Sequence, residues 1–377
     1  MSSDAAPPAA PAPAVTSSRI LAARPTKVCV FGSGSFGTAL GIVLARNGLE
    51  VVLLTRRPEV AAAVCAEHRN PAAFSSHSLP FCLGATTDAA AALRGASFIV
   101  HSIPVQASFE YLRELAPHVP AGVPIINSSK GVHLAKGMFM SELVPAALAE
   151  GGAPGPNPVV VFGGPTFAEE LVKAFPSGAV VAAAAAEHAA AAARLFSSPT
   201  LRVFTSADVR GMEIAGALKN VYAIAAGCLV GLGLGTNSAA LLVTRAVAEM
   251  AAIAKSQGCT EATLSGLSGV GDLMLTCFGA ASRNRRVGER LGRGESLAAI
   301  LASLPEVAEG VSTAPAALRL ARAARVDAPI IEAVVAVLEG ALTPLEALMA
   351  LLSIPIGTEL KAAPAPPAAG GAAPGGV

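Results

Sequence analysis

The segment Val28-Cys-Val-Phe-Gly32-Ser-Gly34-Ser-Phe-Gly37 runs an apolar β-type stretch into G-x-G-x-x-G and then into an apolar helical one. Glycines at 32, 34 and 37 allow a tight turn, a close backbone approach and tight helix packing, and N–H groups at a helix start can cradle a pyrophosphate. A strand before the glycines and a helix after them select a dinucleotide site over a ligand-free glycine turn. Gly32, Ser33, Gly34, Ser35, Phe36 and Gly37 are therefore the candidate cofactor loop.

Outward from this loop the pattern repeats. Residues 28–32, 50–55, 98–103, 123–128, 159–162 and 178–183 read as buried strands, and 36–47, 107–116, 138–149 and 189–196 as helices. Such alternation predicts a parallel, doubly wound sheet of the Rossmann type. The β signal stops at about 203–206. Helical patterns then cover 208–229, 237–257, 282–291, 313–324, 328–340 and 343–352, with Asp208 and Asn237 near starts and Pro315 inside a first turn. The fold class expected is α/β plus all-α: a dinucleotide-binding domain over 27–206 and an all-α substrate and catalytic domain over 207–360. Residues 1–26, rich in Ala, Pro and Ser, and 361–377, rich in Pro, Ala and Gly, are expected to be tails. The first has two arginines and one acid, which fits either a disordered extension or a transit segment.

Length and composition narrow the function. The 377 residues suffice for two cores, and 27 basic against 26 acidic side chains with two Tyr and no Trp leave neither a basic stripe nor rings for stacking bases, so no nucleic-acid partner is expected. The hydrophobic fraction of 53% is mainly alanine. Ala223–Val243 is nearly uncharged, yet Gly231-Leu-Gly-Leu-Gly235 reads as a helix end and loop, so no membrane span is expected. Six scattered cysteines without C-x-x-C pairs indicate neither a metal site nor a disulfide framework.

Chemistry concentrates in three places. Gly266 to Asn284 opens with glycines at 266, 269 and 271, then carries Asp272, Thr276 and Ser282-Arg283-Asn284, while Gly216-Ala-Leu-Lys-Asn220 sets Lys219 and Asn220 in an apolar helical run. A charge there is costly unless partnered, and Asp272 is the obvious partner. All six histidines lie at or before His188, and His101, in the 98–103 strand pattern, reads as structural or peripheral. If the α domain supplies an acid/base, Lys219 must do it, with Asp272 orienting it and Thr276 one helical turn further on the same face. The alternative is a purely structural Lys219–Asp272 pair between helices. Ser282, Arg283 and Asn284 would open a helix and hold an anion, which points to a phosphorylated substrate. Lys130, in Ser128-Ser-Lys-Gly131, is either a second cation at the cofactor cleft or a surface lysine in a turn. Thr55-Arg56-Arg57 ends the second strand without the acid of an NAD-preferring site: Arg56 and Arg57 either hold a 2′-phosphate and stack on adenine, or are simply solvated.

Together G-S-G-S-F-G-T-A-L, S-S-K-G, G-G-P-T-F-A-E-E, G-A-L-K-N-V-Y-A-I-A-A-G, G-L-S-G-V-G-D-L-M-L-T-C and S-R-N resemble, in order from about Lys27 to Leu360, NAD(P)-dependent glycerol-3-phosphate dehydrogenase, with details closest to plastid forms. The resemblance implies a Rossmann domain followed by an all-α domain. It also implies NAD or NADP as cofactor and reversible reduction of dihydroxyacetone phosphate to sn-glycerol 3-phosphate for glycerolipid synthesis. By the same resemblance Lys219 is the proton donor or acceptor and Lys130 touches cofactor and substrate. Asp272, Ser282, Arg283 and Asn284 would bind substrate together with Gly164 and Thr166 of G-G-P-T, and Asn220 and Thr276 are expected beside them. Ser35, Phe36, Arg56, Ala168, Val307 and Glu309 would line the cofactor, with Arg283 also reaching it. Phe36 stands where many bacterial members have tryptophan. A homodimer is expected, resident in a plastid or alternatively in the cytoplasm. The rival readings are another two-domain hydroxy-acid dehydrogenase of the same build and a catalytically silent dinucleotide sensor.

Overall fold

The computed structural model describes residues 26–304 and 307–355; the two expected tails lie outside these, Thr26 apart. The described residues form two compact units. One takes those up to Ser129 together with Met140–Val209, the other Lys130–Phe139 together with those from Arg210 onward. The short Lys130–Phe139 stretch thus groups with the helical half, because Val132 and Phe139 are buried in that half's core beside Leu218, Val221 and Tyr222.

The first unit is built on one eight-stranded sheet: β1 (Lys27–Phe31), β2 (Glu50–Leu54), β3 (Leu83–Thr86), β4 (Phe98–His101), β5 (Ile125–Asn127), β6 (Val159–Gly163), β7 (Ser177–Ala182) and β8 (Leu201–Ser206), in the order β3-β2-β1-β4-β5-β6-β7-β8. β1, β4, β5 and β6 are central and almost wholly apolar, as strands covered on both faces must be. The order reverses between β1 and β4, and in such sheets ligands bind in the crevice beyond the strand C-termini at this reversal.

Every pair is parallel except β6 with β7, which is antiparallel and departs from the all-parallel expectation. The reason is the connection. The helix between them, Ala168–Val172, has five residues, about 7.5 Å, and cannot carry the chain back along a strand about 17 Å long. Between β7 and β8 the 11-residue helix Ala186–Phe196 can, and that pair is parallel. β3 and the helices Ala89–Leu93 and Ala168–Val172 were not expected from the sequence.

The second unit is helical. Its central element is the helix Val209–Gly231, buried along nearly its whole length. Gly233, at φ +75°, ends it in a Schellman motif, with Leu234 N–H bonded to Leu229 O and Gly233 N–H to Val230 O. A second helix, Thr236–Ser256, follows. The uncharged run 223–243 is therefore interrupted where the glycines predicted it. By length and composition both helices could cross a membrane; the first buries most of its apolar window inside this unit.

Arg283–Gly292 packs on the central helix with backbone-to-backbone closeness. A Cβ on Gly288 would strike Ile224 O, and one on Gly227 would strike Arg285 O. Pro315 lies inside the helix Glu309–Ala323 rather than in its first turn, since that helix begins four residues before the apolar pattern does. The ring deletes one internal hydrogen bond there. Glu249, buried on Thr236–Ser256, accepts the Ile330 N–H at 2.7 Å and so caps the helix Pro329–Leu338 from within the core.

In the first unit, His101 at the end of β4 is fully buried and sits 3.1 Å from Asn127 Oδ1 at the end of β5. Asn127 Nδ2 donates to Ser129 O, so its oxygen faces the ring and His101 Nδ1 carries the proton. Nε2 has no partner among the described residues. Burial lowers the imidazole to about pKa 4, only partly offset by the Asn127 bond, which fits the structural reading of this histidine. Below pH 6.5 the unfolded chain takes up a proton that folded His101 refuses, so stability falls between pH 6.5 and 4 by about 3 kcal/mol in total. Exchange of His101 for Gln should flatten that part of the profile, measured as the urea midpoint at pH 7 and pH 5. An equal acid loss in both proteins would assign it to other groups.

Candidate active site

The glycine loop lies between β1 and the helix Ser35–Arg46. Gly32 adopts φ +101°, where an L side chain is strained, and a Cβ there would press on Ile103 and Ser102 at 2.9 Å. A Cβ on Gly37 would run into the Gly32 carbonyl, so helix and strand close on each other at this point. Gly34 is the opposite: it is exposed, and a Cβ would meet nothing within 4 Å among the described residues. The helix has no side-chain cap and no acid in its first turn. Backbone room beside a helix N-terminus free of competing carboxylates suits a pyrophosphate, so these residues fit a dinucleotide.

Ser33 ties the loop to the end of β2. Its hydroxyl donates to Thr55 Oγ1 at 2.8 Å, and Arg57 reaches the same hydroxyl at 3.4 Å while its backbone N–H bonds Thr55 Oγ1. Of the two arginines, Arg57 is thus the one bonded at the loop; Arg56 lies exposed, its charge felt by Tyr111. Phe36 is half-buried with its ring 6.3 Å from that of Phe162. Gly164, at φ +111°, approaches β7 so closely that a Cβ would meet Ala179 Cα at 3.0 Å, and the buried Thr166 hydroxyl bonds Gly164 O. Ala168 opens its short helix, half-exposed.

In the second unit the charges expected from the sequence converge. Lys219, 7% exposed, donates to Asp272 Oδ1 at 2.6 Å and to Thr276 Oγ1 at 2.9 Å. Lys130 donates to the other carboxylate oxygen, Asp272 Oδ2, at 2.7 Å. Asp272 is held by a turn of π-helix, Leu267–Gly271, running into the helix Asp272–Phe278. Gly269 is required in it, since a Cβ would collide with Leu264 O. Thr276, one turn on, donates to Asp272 O at 2.6 Å and so presents its oxygen to Lys219. The Lys130 stem lies over Gly216, 3.4 Å from where a Cβ would be.

Two cations share one buried anion, leaving a net positive charge that invites a phosphate or a developing alkoxide. Burial lowers Lys219 from 10.5 to about 8; Asp272 opposes this and Lys130 adds to it. Asp272 feels burial pushing its pKa up, but the two ammoniums outweigh that and hold it below the usual carboxylate range. Burial pushes the neighbouring Cys277 thiol up to about 12, so it stays protonated. A lysine with a pKa near 8 can release and retake a proton at physiological pH.

Ser282 caps the helix Arg283–Gly292 by accepting from Arg285 N–H at 3.2 Å, and Arg283 is its exposed first residue. Asn284 is buried, donates to Asn220 Oδ1 and accepts from Gly310 N–H, both at 2.9 Å. Asn220 and Asn284 thereby join three helices to one another. Glu309, half-buried, starts the third of them, and Val307 before it is 58% exposed. Sequence reading missed the polar buttress of the glycine loop, Thr55 and Asn70, whose partners are distant in sequence and leave no periodic signal.

Residues 27–189 match the family model of the NAD-dependent glycerol-3-phosphate dehydrogenase N-terminus and residues 208–349 that of its C-terminus. The chain is 45% identical over 334 residues to glycerol-3-phosphate dehydrogenase (NAD+) 2, chloroplastic, of Arabidopsis thaliana, covering 88% of this chain and 79% of that one. It is 41% identical over 334 residues to glycerol-3-phosphate dehydrogenase (NAD(P)+) of Brucella ovis, covering 89% and 99%. The crystal structure of glycerol-3-phosphate dehydrogenase from Coxiella burnetii superposes with a TM-score of 0.82 at 30% identity, over 87% of this chain and 99% of that one. With the models of both halves matched over 27–189 and 208–349, the chain belongs to the family of NAD-dependent glycerol-3-phosphate dehydrogenases.

Proposed function

We propose that the chain interconverts dihydroxyacetone phosphate and sn-glycerol 3-phosphate with Lys219 as general acid and base. The observation that carries this is the buried Lys219 ammonium, pinned by Asp272 and Thr276 and weakened by burial to a pKa of about 8. When bound at the glycine loop, the dinucleotide supplies or takes back the hydride. As the carbonyl carbon gains hydride its oxygen becomes an alkoxide, and Lys219 gives that oxygen a proton, leaving a neutral amine for solvent to recharge. In the reverse direction the neutral amine removes the hydroxyl proton. Asp272 keeps Lys219 aimed, and Lys130 keeps Asp272 ionised while adding positive charge for the developing alkoxide. Arg283, with the start of its helix, suits the substrate phosphate, a charge-assisted contact worth about 1.5 to 3 kcal/mol. Gly164 and Thr166 belong to the substrate side of this reading, and Ala168, Val307 and Glu309 to the cofactor side.

Initial rates of reduced-nicotinamide loss with dihydroxyacetone phosphate test the reaction. Oxidation with this substrate and none with 3-hydroxy-acid precursors is expected. Turnover only of the latter would move the chain to the hydroxy-acid dehydrogenases of the same build.

Running the assay in parallel with NADH and NADPH tests the arginines. The bond of Arg57 to Ser33 of the loop supports its meeting a 2′-phosphate, with Arg56 beside it. Arg57→Ala should raise the Michaelis constant for NADPH about tenfold and leave that for NADH nearly unchanged. An equal change for both would make Arg57 a loop brace and nothing more.

A plastid location and a homodimeric state complete the reading. The first is supported by the chloroplastic names of plant relatives 45% and 46% identical, against the bacterial ones at 41%. Imaging of a C-terminal fluorescent fusion and sedimentation of the purified protein test the two.

A further inference from the structure

Asn70 lies in the loop between the helix Pro58–Glu67 and β3, with no solvent exposure. Its Nδ2 donates to the Ser33 carbonyl at 2.9 Å and to Thr38 Oγ1 at 2.8 Å, and its Oδ1 accepts the Ala72 N–H at 3.0 Å. Thr38 Oγ1 in turn donates to the same Ser33 carbonyl at 3.3 Å. The partners fix the amide's orientation, because a carbonyl can only accept and a backbone N–H can only donate. Every hydrogen-bonding site of this side chain that the structure engages serves to grip one peptide or to brace its own loop.

That peptide is the one joining Ser33 to Gly34 in the middle of the glycine loop. No peptide bond in the described chain is cis, and in a trans peptide the N–H points opposite to the C=O. With the Ser33 carbonyl held inward by Asn70 and Thr38, the Gly34 N–H is turned outward, to the side where Gly34 is exposed and a Cβ would meet nothing. Glycine at 34 gives the backbone freedom to flip this peptide, and in the flipped form a carbonyl oxygen would confront the pyrophosphate. An inward hydrogen-bond pair on the carbonyl removes that freedom.

We propose that Asn70 is a positioning residue for the cofactor: it locks the Ser33–Gly34 peptide with its N–H presented to the dinucleotide pyrophosphate. This rests on the glycine loop being the dinucleotide site. The grip acts on one phosphate-facing N–H, so it bears on ligands that carry a pyrophosphate and is silent toward the adenosine end alone and toward the phosphorylated substrate.

The test is titration of the purified full-length protein by calorimetry with ADP-ribose, which has the pyrophosphate, and competition with adenosine, which lacks it, for the native chain, Asn70→Ala and Asn70→Asp. Asn70→Asp keeps the size and the acceptor for Ala72 but loses both donors and sets a carboxylate against the Ser33 carbonyl. ADP-ribose affinity should fall on the order of tenfold in Asn70→Ala and further in Asn70→Asp, with adenosine inhibition and the Michaelis constant for dihydroxyacetone phosphate unchanged. Should Asn70→Ala fail to fold, Asn70→Asp and Thr38→Val, which removes the second donor to Ser33 O, carry the same comparison. Equal losses for ADP-ribose and adenosine, or no loss for either, would overturn the proposal. Failure of the native chain to bind ADP-ribose would instead overturn the cofactor site itself.

Discussion

Lys219→Ala should lower turnover by about 10² to 10⁴-fold while NADH binds with native affinity. The lysine belongs to the helical unit and touches Asp272 and Thr276, and none of its bonds goes to the glycine loop. The variant should also fold, because Asp272 keeps Lys130 at 2.7 Å as a counter-charge and so is not left as an unpaired buried carboxylate. The native pH profile gives an independent check. With Lys219 near pKa 8, reduction of the carbonyl needs the protonated amine and should decline above about pH 8, whereas oxidation of the alcohol needs the neutral amine and should decline below it. In Lys219→Ala both limbs should vanish from what activity remains. Near-native turnover, or limbs that persist, would take the acid/base role from Lys219. NADH fluorescence on binding is clean to read, since the chain has no tryptophan.

How much of this was legible in the residues depended on whether the signal was local. The glycine loop was, because tight turn, close approach and helix packing each demand glycine at a fixed spacing, and Gly32, Gly34 and Gly37 meet these three demands separately. The pairing of Lys219 with Asp272 was also legible, since a charge in an apolar helical run must find a partner and Asp272 sits in a glycine-rich, polar segment built to hold a ligand. Strand polarity was not. Nothing in Ser177–Ala182 says that β7 runs against β6; that follows from the shortness of the preceding helix. β3 escaped because Leu-Gly-Ala-Thr holds one large apolar side chain in four residues, and its place in the sheet comes from β2 beside it. Asn70 escaped because an amide between two turns has no period, and its partner Ser33 lies 37 residues away. That the amides of Asn220 and Asn284 meet each other is a geometry no spacing could disclose.

Loss of the Asp272 carboxylate should have the largest effect on stability. Asp272→Asn keeps the shape but leaves the ammoniums of buried Lys219 and half-buried Lys130, bonded to opposite oxygens of one side chain, with no anion between them. Removing one partner of a buried ion pair costs about 3 to 5 kcal/mol, and here one removal strands two cations. A drop in Tm of about 5 °C is the corresponding scale for a protein of this size. The loss should depend on pH in a definite direction. In the variant folded Lys219 lies further below its unfolded pKa, so the unfolded chain binds more protons and stability rises with pH toward 10. The midpoint of unfolding should therefore be far lower than native at pH 6 and recover part of the difference at pH 9. Activity should not recover with it: Asp272 is the influence that holds Lys219 up against burial and Lys130, and without it the amine is neutral at pH 7 with no proton to give. The pH limb for carbonyl reduction should accordingly move to lower pH. A variant with native Tm at pH 6 and an unmoved limb would mean that the two lysines do not share this carboxylate in solution.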